Sequence, residues 1–491
     1  MVLIIKGHRF NFELENICRL FLPLEKVYVY YDEQEVTQDG SIVAVSTLKE
    51  GSDKLVLYSE LTIEGRKECL EERILKNGGC DDKDIERKLS VQLYRLFVKH
   101  YGFTLSWGAI TGVRPVKLLR QFAAEIGREK AAEWFKDELL VSDEKISLCL
   151  DILNIENEII ALSRPESFSL YISIPFCPSR CDYCSFVSHT VEKAARLIPL
   201  YIENLCKEIE YTGAVSRELG LRLETVYIGG GTPTSISAEQ LGLVLDAINR
   251  SFDLSNLREF TVEAGRPDTI TEDKLRVIKS FNVGRISINP QTLNDNVLAA
   301  IGRRHTAQDY YNAFNLASKI GFGNINTDLI AGLPEDDIDS FNRSLEGVIS
   351  LSPESVTVHT LAFKKSSNLV TKNRVSFEKG RQAAKMIDSS IIRLKESGYR
   401  PYYLYRQSKT VGGTENTGWA KPGFEGLYNV YIMDETHTIL ACGAGAVTKL
   451  CRPHDGFIER IFNFKFPYEY NSRFDEIILR KGRVKLFYEG C

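Results

Sequence analysis

The stretch Tyr171-Ile-Ser-Ile-Pro-Phe-Cys177-Pro-Ser-Arg-Cys181-Asp-Tyr-Cys184 places three cysteines at C-x3-C-x2-C spacing directly after a short apolar run. Three thiolates on one tight loop suit a cubane iron–sulfur cluster, for which cysteine thiolate is the usual protein ligand. A fourth cysteine would close such a site, so three leave one iron open to bind a substrate. A structural zinc site, which takes four ligands, and three ordinary thiols are the alternatives.

Length, charge and cysteine number restrict the class of protein. At the usual domain size of ~150 residues, 491 residues predict two to four domains. The 62 Lys and Arg against 66 Asp and Glu give a net charge of −4, which argues against a nucleic-acid partner. We expect neither a signal peptide nor a membrane span, because no apolar run is long enough for either. The sequence therefore predicts a cytoplasmic protein.

The eleven cysteines are an odd number in a long chain, which does not fit the disulfide scaffold of a small secreted protein. Five cysteines outside the loop are interpreted as small buried hydrophobic residues: Cys18, Cys69, Cys80, Cys149 and Cys206. A second cluster or a redox relay stays open for Cys442, Cys451 and Cys491.

From Ser167 onward, short apolar runs alternate with amphipathic segments. The predicted strands are Leu170–Ile174, Thr225–Ile228, Glu259–Glu263, Arg285–Ile288, Ile325–Ile330 and Ser355–His359. The predicted helices between them are Glu192–Leu219, Ala238–Ile248, Glu272–Ser280, Ala307–Ile320 and Ile338–Leu351. Such alternation builds a parallel sheet, open or curled into a full or partial barrel. We expect an α/β fold with three domains: an N-terminal α/β domain over 1–164, a barrel core over 165–385 and a C-terminal α+β accessory domain over 386–491.

Polar and glycine residues follow the predicted strands at the ends where a barrel carries its chemistry. They are Gly229-Gly230-Gly231-Thr232 after the second strand, Glu263 at the end of the third, Gln291 after the fourth, Arg303-Arg304 before the fifth and Asp328 within the fifth. Singly, each is compatible with a solvated loop residue or a helix cap. Together they supply the carboxylate, amide and guanidinium groups that a charged ligand requires.

The cysteine loop resembles that of the radical S-adenosylmethionine (SAM) superfamily, in which this loop follows the first barrel strand. The Gly229-Gly-Gly-Thr-Pro233 motif is similar to that of the oxygen-independent coproporphyrinogen III oxidase-like branch, and the long-form dehydrogenases of that branch are the nearest match. That match rests on Gly112-Val-Arg-Pro-Val-Lys-Leu118, Ile288-Asn-Pro-Gln291, Tyr402-Tyr-Leu-Tyr-Arg406, Cys442-Gly-Ala-Gly-Ala446 and Glu263-Ala-Gly-Arg-Pro-Asp268, the last in place of a simple E-x-(D/N)-P.

The resemblance implies a role for particular residues. Cluster ligation and catalysis are implied for Cys177, Cys181 and Cys184, and a catalytic and SAM-binding role for Tyr171. Further SAM contacts are implied for Tyr183, Gly230, Gly231, Thr232, Glu263, Gln291, Arg303 (with Arg304 as its rival) and Asp328.

The resemblance also implies a [4Fe–4S] cluster, SAM as cofactor and a 5′-deoxyadenosyl radical that converts coproporphyrinogen III propionates to vinyl groups. The implied partners are a tetrapyrrole substrate, an electron donor of the flavodoxin or ferredoxin type and an electron acceptor. Two alternatives are a radical SAM enzyme that degrades haem anaerobically and a haem or tetrapyrrole carrier. The haem-chaperone relatives carry His-Asn-x-x-Tyr-Trp, where this chain reads Leu427-Tyr-Asn-Val-Tyr-Ile432, which disfavours haem loading.

Overall fold

The computed structural model of the protein describes residues 1–23, 25–32, 41–76, 81–184, 189–362, 377–407, 410–452 and 456–490. Two compact units make up the chain. The first combines residues 1–150 with the short segments 375–384 and 405–415, and the second combines 151–374, 385–404 and 416–491. The division into three domains at residues 164 and 385 stays a prediction.

The first unit contains a five-stranded sheet in the order β2-β1-β3-β4-β5. Its strands are β1 (Val2–Lys6), β2 (Tyr28–Tyr31), β3 (Ile42–Glu50), β4 (Lys54–Ile63) and β5 (Arg66–Leu75). The first three strands pair in parallel, and β3, β4 and β5 form an antiparallel meander. The helices of this part of the chain are Phe12–Phe21, Asp82–Tyr101, Pro115–Ile126, Arg128–Asp137 and Asp143–Ile160. Apolar side chains of the first two helices, such as Phe21 and Phe97, share one core with the sheet.

A segment from late in the sequence completes the first unit. Lys145 Nζ lies 2.8 Å from Glu415 Oε1, and Trp107 Nε1 donates to Glu415 Oε2 at 2.7 Å. The side chains of Lys145 and Glu415 are 1% and 0% exposed. The backbone N–H of Arg406 donates to the carbonyl of Val113 at 2.8 Å. Two of the motifs that mark the long-form branch therefore contact each other, which gives them a structural role.

The second unit is built on an eleven-stranded sheet in the order β14-β15-β13-β12-β11-β10-β9-β6-β16-β17-β18. The remaining strands are β6 (Ser167–Ile174), β7 (Phe176–Cys177), β8 (His189–Thr190), β9 (Arg222–Gly230), β10 (Glu259–Gly265), β11 (Arg285–Ile288), β12 (Ile325–Ala331), β13 (Ser355–Thr360), β14 (Arg400–Arg406), β15 (Glu415–Ala420), β16 (Thr438–Cys442), β17 (Val447–Arg452) and β18 (Phe457–Phe462). The six predicted strands correspond to β6 and β9–β13, which are neighbours and parallel. The predicted α/β fold with a partial barrel is confirmed.

Helices connect the parallel strands as the alternation predicts, with two differences. The connecting helices are Val191–Ala194, Ile198–Glu218, Ala238–Ser251, Glu272–Ser280, Asp295–Ala300, Ala307–Ile320 and Ile338–Ser350, of which the short Asp295–Ala300 was not predicted. The helix Phe377–Glu396 follows β13, and the later helices are Leu427–Asp434, Pro467–Ser472, Phe474–Lys481 and Arg483–Glu489. The single helix predicted over Glu192–Leu219 is wrong, because the chain forms two helices there. Pro199 lies in the first turn of the second helix, where its missing N–H costs no hydrogen bond.

The parallel strands are buried on both faces, since helices cover the outside and polar and apolar side chains fill the inside. All four residues of β11 are buried, and so are Ile172, Val226, Val262 and Leu329 on the other parallel strands. Along these strands apolar residues form short runs or alternate with polar ones, which is why they could be predicted. Within the described part of the chain, none of the helices has the length and apolar character needed to traverse a bilayer.

The cysteines outside the loop only partly match their prediction. Cys18 and Cys149 are buried, whereas Cys206 is partly buried. The prediction that Cys69 is buried is wrong, because it lies exposed on the edge strand β5. Cys80 and Cys491 lie outside the described residues, and Cys442 and Cys451 are buried.

Candidate active site

The three-cysteine loop begins at the end of β7, directly beyond the first parallel strand β6. Cys181 is buried, and Cys177 and Cys184 are partly exposed. A turn closes the loop, because the N–H of Cys184 donates to the carbonyl of Cys181 at 3.1 Å. The N–H of Asp182 donates to the carbonyl of Ile301 at 3.1 Å, which fixes the loop on the segment that carries the two arginines.

A cubane cluster and a single metal ion require different arrangements of three thiols. Among the residues that the structure describes, no three His, Cys, Asp or Glu side chains surround a position for a single metal ion. In a cubane each thiolate binds a different iron atom, so convergence on one point is not expected.

The glycine motif after β9 lies against the first cysteine. The N–H of Thr232 donates to the carbonyl of Phe176 at 2.8 Å, and Thr232 Oγ1 lies 3.5 Å from Cys177 Sγ. A Cβ on Gly231 would lie 2.6 Å from the Phe176 carbonyl oxygen and 3.0 Å from Cys177 Sγ. Gly230 has a φ of +111°, which side chains disfavour. Only glycine lets this backbone approach the cysteine loop so closely.

Of the two candidate arginines, Arg303 is the one that lies beside the loop. Arg303 is 8% exposed and donates to the hydroxyl of Tyr183 at 2.8 Å and to the carbonyl of Asn289 at 2.7 Å. Burial alone would lower the pKa of Arg303, but the Tyr183 hydroxyl and the Cys181 thiol raise it above its ordinary value. Arg304 is exposed. A permanent buried cation therefore stands next to the thiols.

A second buried arginine, which the sequence reasoning did not single out, touches the loop from the other side. Arg266 donates to the hydroxyl of Ser179 at 2.7 Å, and its Nη1 lies 3.9 Å from Cys181 Sγ. Its position three residues beyond Glu263, at the end of a parallel strand, is the signal that could have identified it.

Glu263 lies at the end of β10 with few partners. The hydroxyl of Tyr227 donates to Glu263 Oε1 at 2.5 Å. Burial, and to a smaller extent the nearby carboxylate of Asp328, raise the pKa of Glu263 to about 7 against the opposing effect of the Tyr227 hydrogen bond. Around neutral pH this carboxyl is poised between its acid and its carboxylate form.

Asp328 on β12 is kept ionised by its neighbours. Its Oδ1 accepts from Asn326 Nδ2 at 2.7 Å, and its Oδ2 lies 3.6 Å from His359 Nε2. Burial raises the pKa of Asp328, but the hydrogen bonds from His359, Asn326 and Thr357 outweigh it, and the pKa falls below its ordinary value. His359 was not among the predicted site residues, although it ends the sixth predicted strand.

Gln291 is held in a strained conformation. Its φ is +71°, in the left-handed region that a residue with a side chain seldom adopts. Its N–H donates to the carbonyl of Asp328 at 3.0 Å, and its carbonyl accepts from the N–H of Ile330 at 2.9 Å, so the neighbouring strand β12 imposes this conformation. The side-chain Oε1 is buried and has no hydrogen-bond partner among the described residues. An amide oxygen of this kind suits a bound ligand.

Three tyrosine rings line the site next to Glu263. The ring centroids of Tyr171 and Tyr227 lie 6.3 Å apart, and those of Tyr227 and Tyr428 lie 4.5 Å apart. Burial, and then the charge of Glu263, raise the pKa of Tyr171. Tyr428 comes from the helix Leu427–Asp434, whose contact with the strands could not be read from the sequence.

The predicted residues thus form one connected set. The cysteine loop contacts Thr232 and Arg303, and a Cβ on Gly229 would lie 3.1 Å from the Glu263 carboxyl, which joins the glycine motif to the Glu263 group. Three thiols, a glycine backbone, two acidic groups, an amide oxygen and a buried guanidinium fit a cluster together with a ligand that bears ammonium, carboxylate and sulfonium groups.

Comparison with known proteins agrees with this geometry. The model of the radical SAM superfamily matches residues 171–347, so the fold and site define a radical SAM protein. Over 472 residues the chain is 37% identical to the oxygen-independent coproporphyrinogen-III oxidase-like protein HemZ of Bacillus subtilis, covering 93% of this chain and 94% of that one. The chain belongs to the family of that HemZ protein.

Two further similarities cover less of the chain. The heme chaperone HemW of Bacillus subtilis is 33% identical over 310 residues, which are 61% of this chain and 77% of HemW. The crystallised coproporphyrinogen III oxidase HemN of Escherichia coli shares the fold with a TM-score of 0.51 and 22% identity, over 65% of this chain and 71% of that one. The predicted superfamily and branch are confirmed, as are a [4Fe–4S] cluster and SAM as the cofactors of the family. A radical SAM enzyme needs a reductant.

Proposed function

We propose that this protein catalyses the oxygen-independent oxidative decarboxylation of coproporphyrinogen III propionates to vinyl groups. The observation that carries the proposal is the set of acidic, amide and guanidinium groups gathered around a three-cysteine loop at the carboxyl ends of parallel strands. The name of the HemZ relative, a coproporphyrinogen-III oxidase-like protein that matches almost the whole chain, supports this substrate.

The cluster and SAM, when bound, would supply a 5′-deoxyadenosyl radical that takes a hydrogen atom from the propionate β-carbon, after which carbon dioxide and one electron leave and a vinyl group remains. Cys177, Cys181 and Cys184 would hold three irons through their thiolates. Glu263 would accept hydrogen bonds from an ammonium group, which favours its carboxylate form. Arg303 would hold a carboxylate group of the ligand.

The remaining predicted residues would orient SAM and exclude water. The backbone of Gly230 and Gly231, with Thr232, offers hydrogen-bonding groups without bulk beside Cys177. Gln291 Oε1 and the Asp328 carboxylate offer acceptors on the adjoining strands. The rings of Tyr171 and Tyr183 would cover the ligand and keep the radical away from solvent.

The electron balance implies two protein or small-molecule partners. One electron enters with each SAM that is cleaved, and one leaves with each vinyl group that is formed. We propose a flavodoxin or ferredoxin type of protein as donor and a separate one-electron acceptor.

The test is an anaerobic reaction of the iron- and sulfide-reconstituted protein with SAM, a chemical reductant and coproporphyrinogen III. We expect 5′-deoxyadenosine, carbon dioxide and vinyl-bearing tetrapyrrole, with the yield of vinyl product limited by added acceptor. Cleavage of SAM without a vinyl product would refute the substrate, and absence of both would refute the reaction class.

A second candidate is action on haem, either as a carrier or as an enzyme that opens the ring. The similarity to HemW, which is named a heme chaperone and matches 61% of this chain, supports this second candidate. A carrier would retain haem at one per chain, and coproporphyrinogen III would not increase SAM cleavage. Haem offered in parallel under the same anaerobic conditions distinguishes the candidates, because a haem-degrading enzyme alone would consume it.

A further inference from the structure

We propose that Arg266 tunes the iron–sulfur cluster by donating a charge-assisted hydrogen bond to the Cys181 thiolate, which makes the cluster easier to reduce. Arg266 is thus a positioning residue that acts through a cluster ligand. The inference rests on the proposed ligation of the cluster by Cys181.

The guanidinium of Arg266 is enclosed together with the sulfur that it faces. Arg266 is 3% exposed and Cys181 is 8% exposed. Nη1 lies 3.9 Å from Cys181 Sγ, and it also donates to the hydroxyl of Ser179 at 2.7 Å and to the carbonyl of Ser179 at 3.2 Å. One N–H group of the arginine therefore reaches both the backbone of the loop and the sulfur.

The other side of the guanidinium is fixed. Nε and Nη2 donate to the two carboxylate oxygens of Asp268 at 2.9 and 2.7 Å, the forked geometry that holds an arginine in one orientation. The carbonyl of Arg266 accepts from Thr269 Oγ1 at 2.8 Å, and the carbonyl of Gly265 accepts from the N–H of Asn289 at 2.8 Å. Both backbone and side chain are therefore held before any ligand binds.

The sign of the effect follows from electrostatics. Reduction adds one electron and no proton to the cluster, so a nearby cation and an N–H aimed at sulfur stabilise the reduced form more than the oxidised form. Asp268 offsets part of the charge, but its side chain is 22% exposed while that of Arg266 is 3% exposed, so solvent screens the carboxylate more. Asp268 does not offset the hydrogen bond from Arg266 to the Cys181 sulfur.

Arg303, the other buried arginine at the loop, has a different role. Its N–H groups bond to the Tyr183 hydroxyl and the Asn289 carbonyl, and within the described residues its hydrogen bonds do not include a cysteine sulfur, so it acts on Cys181 through charge alone. Arg266 also stands in a segment, Gly265-Arg266-Pro267-Asp268, that replaces the simple E-x-(D/N)-P of the resembled branch. The tuning is therefore a property of chains that carry this arginine.

The experiment is a redox titration of the reconstituted full-length protein, followed by the electron paramagnetic resonance signal of the reduced cluster, without SAM or tetrapyrrole. In Arg266→Gln we expect the ratio of reduced to oxidised cluster at a fixed potential to fall about tenfold, a ~59 mV lower midpoint for one electron. Arg266→Lys keeps the charge but loses the fork, and we expect about a threefold fall.

The matched control is Arg285→Gln. Arg285 is also 3% exposed, but it lies at the start of β11 and donates to the Phe424 carbonyl at 2.9 Å and to Ser355 Oγ at 2.9 Å. Its removal should leave the midpoint of the cluster unchanged. An equal shift in Arg285→Gln and Arg266→Gln would overturn the inference, because the effect would then be general.

The remaining outcomes also decide the matter. A cluster in Arg266→Gln with the wild-type midpoint overturns the inference. If Arg266→Gln holds no cluster, the Lys variant decides, and a wild-type midpoint there overturns it. Because no SAM or substrate is present, a protein without decarboxylase activity still gives the shift, so failure of the proposed function is distinguishable from failure of this inference.

Discussion

Glu208 and Glu263 both lie inside the second unit, and their surroundings differ in kind. Glu208, on the helix Ile198–Glu218, is 0% exposed. Its two oxygens together have four partners, at distances of 2.6 to 3.2 Å: Asn463 Nδ2, Lys481 Nζ, the N–H of Gly443 and the hydroxyl of Tyr470. Glu263 is partly exposed and accepts from Tyr227.

The difference distinguishes a carboxylate that stabilises the fold from one that is available to bind a ligand. Glu208 connects residues late in the chain to a helix that follows the cysteine loop, and both of its oxygens have hydrogen-bond partners. Glu263 accepts one hydrogen bond, from Tyr227, and burial raises its pKa to about 7 despite that bond. Buried polar groups of the first kind stabilise the protein, and those of the second kind mark its site.

The largest expected effect isolates the site from the fold. Cys181→Ser leaves the cluster one thiolate short, so we expect SAM cleavage to fall below detection while the melting temperature of the protein without cluster is unchanged. Cys206→Ser is the matched control on the helix that carries Glu208, and it should cleave SAM like the wild type. Measurement of 5′-deoxyadenosine settles both; cleavage retained in Cys181→Ser would remove this cysteine from the ligand set.

The second effect tests the Glu208 side of the comparison. Lys481→Met leaves a buried carboxylate without its cation, which should lower the free energy of unfolding by ~3–5 kcal/mol. Denaturant unfolding measures this loss. The pH dependence of SAM affinity should stay that of the wild type, and a change there would show that the two glutamates are not separate.

The third effect tests Glu263 through pH. The pKa of this acid is raised to about 7 and its carboxylate is the form that accepts an ammonium group, so the binding form declines as the pH falls below about 7. We expect SAM affinity of the cluster-loaded protein to fall about tenfold for each pH unit below that point. Glu263→Gln should bind SAM more weakly at pH 8 and lack this slope. Calorimetric titration of SAM into both proteins measures this. The ionisation of SAM itself affects the two proteins equally, so the difference between their pH profiles reports on Glu263.

The smallest effect concerns the strain at Gln291. Gln291→Gly adopts a φ of +71° without penalty, whereas Gln291→Ala keeps the Cβ that opposes it. The Gly variant should therefore be more stable than the Ala variant by about 1 kcal/mol, while both bind SAM more weakly than the wild type. Equal stability of the two variants would mean that the conformation is not strained.

The central strands and the places of the strand-end residues could be predicted because sequence and burial coincide there. The buried apolar residues of a strand covered on both faces mark it in the sequence, and the alternation of strands and helices then locates its carboxyl end. The edge strand β5 could not be predicted, since Arg66–Leu75 carries charges on both faces and no alternation marks it. Charged edges protect a sheet from unwanted pairing, and they also hide the strand from sequence reasoning.

Parts of the site that depend on contacts between distant segments could not be predicted. Arg266 and Cys181 are 85 residues apart, and although the strand end places Arg266 at the site, neither segment indicates that its guanidinium faces this sulfur. Tyr428 and Tyr227 stack across an even longer separation. The position of β16 beside β6 could not be predicted either, because the order of strands in the sheet is fixed by packing and not by local sequence pattern.

The pair of Lys145 and Glu415 has a consequence for the growing chain, because its partners are 270 residues apart. At ~5–20 residues per second, a ribosome needs roughly 15–50 seconds between making the first and the second. During that interval the early residues emerge with an ammonium group that must later be enclosed, and all six parallel strands are synthesised before its carboxylate arrives. The part of the molecule that is made first is therefore among the last to be finished.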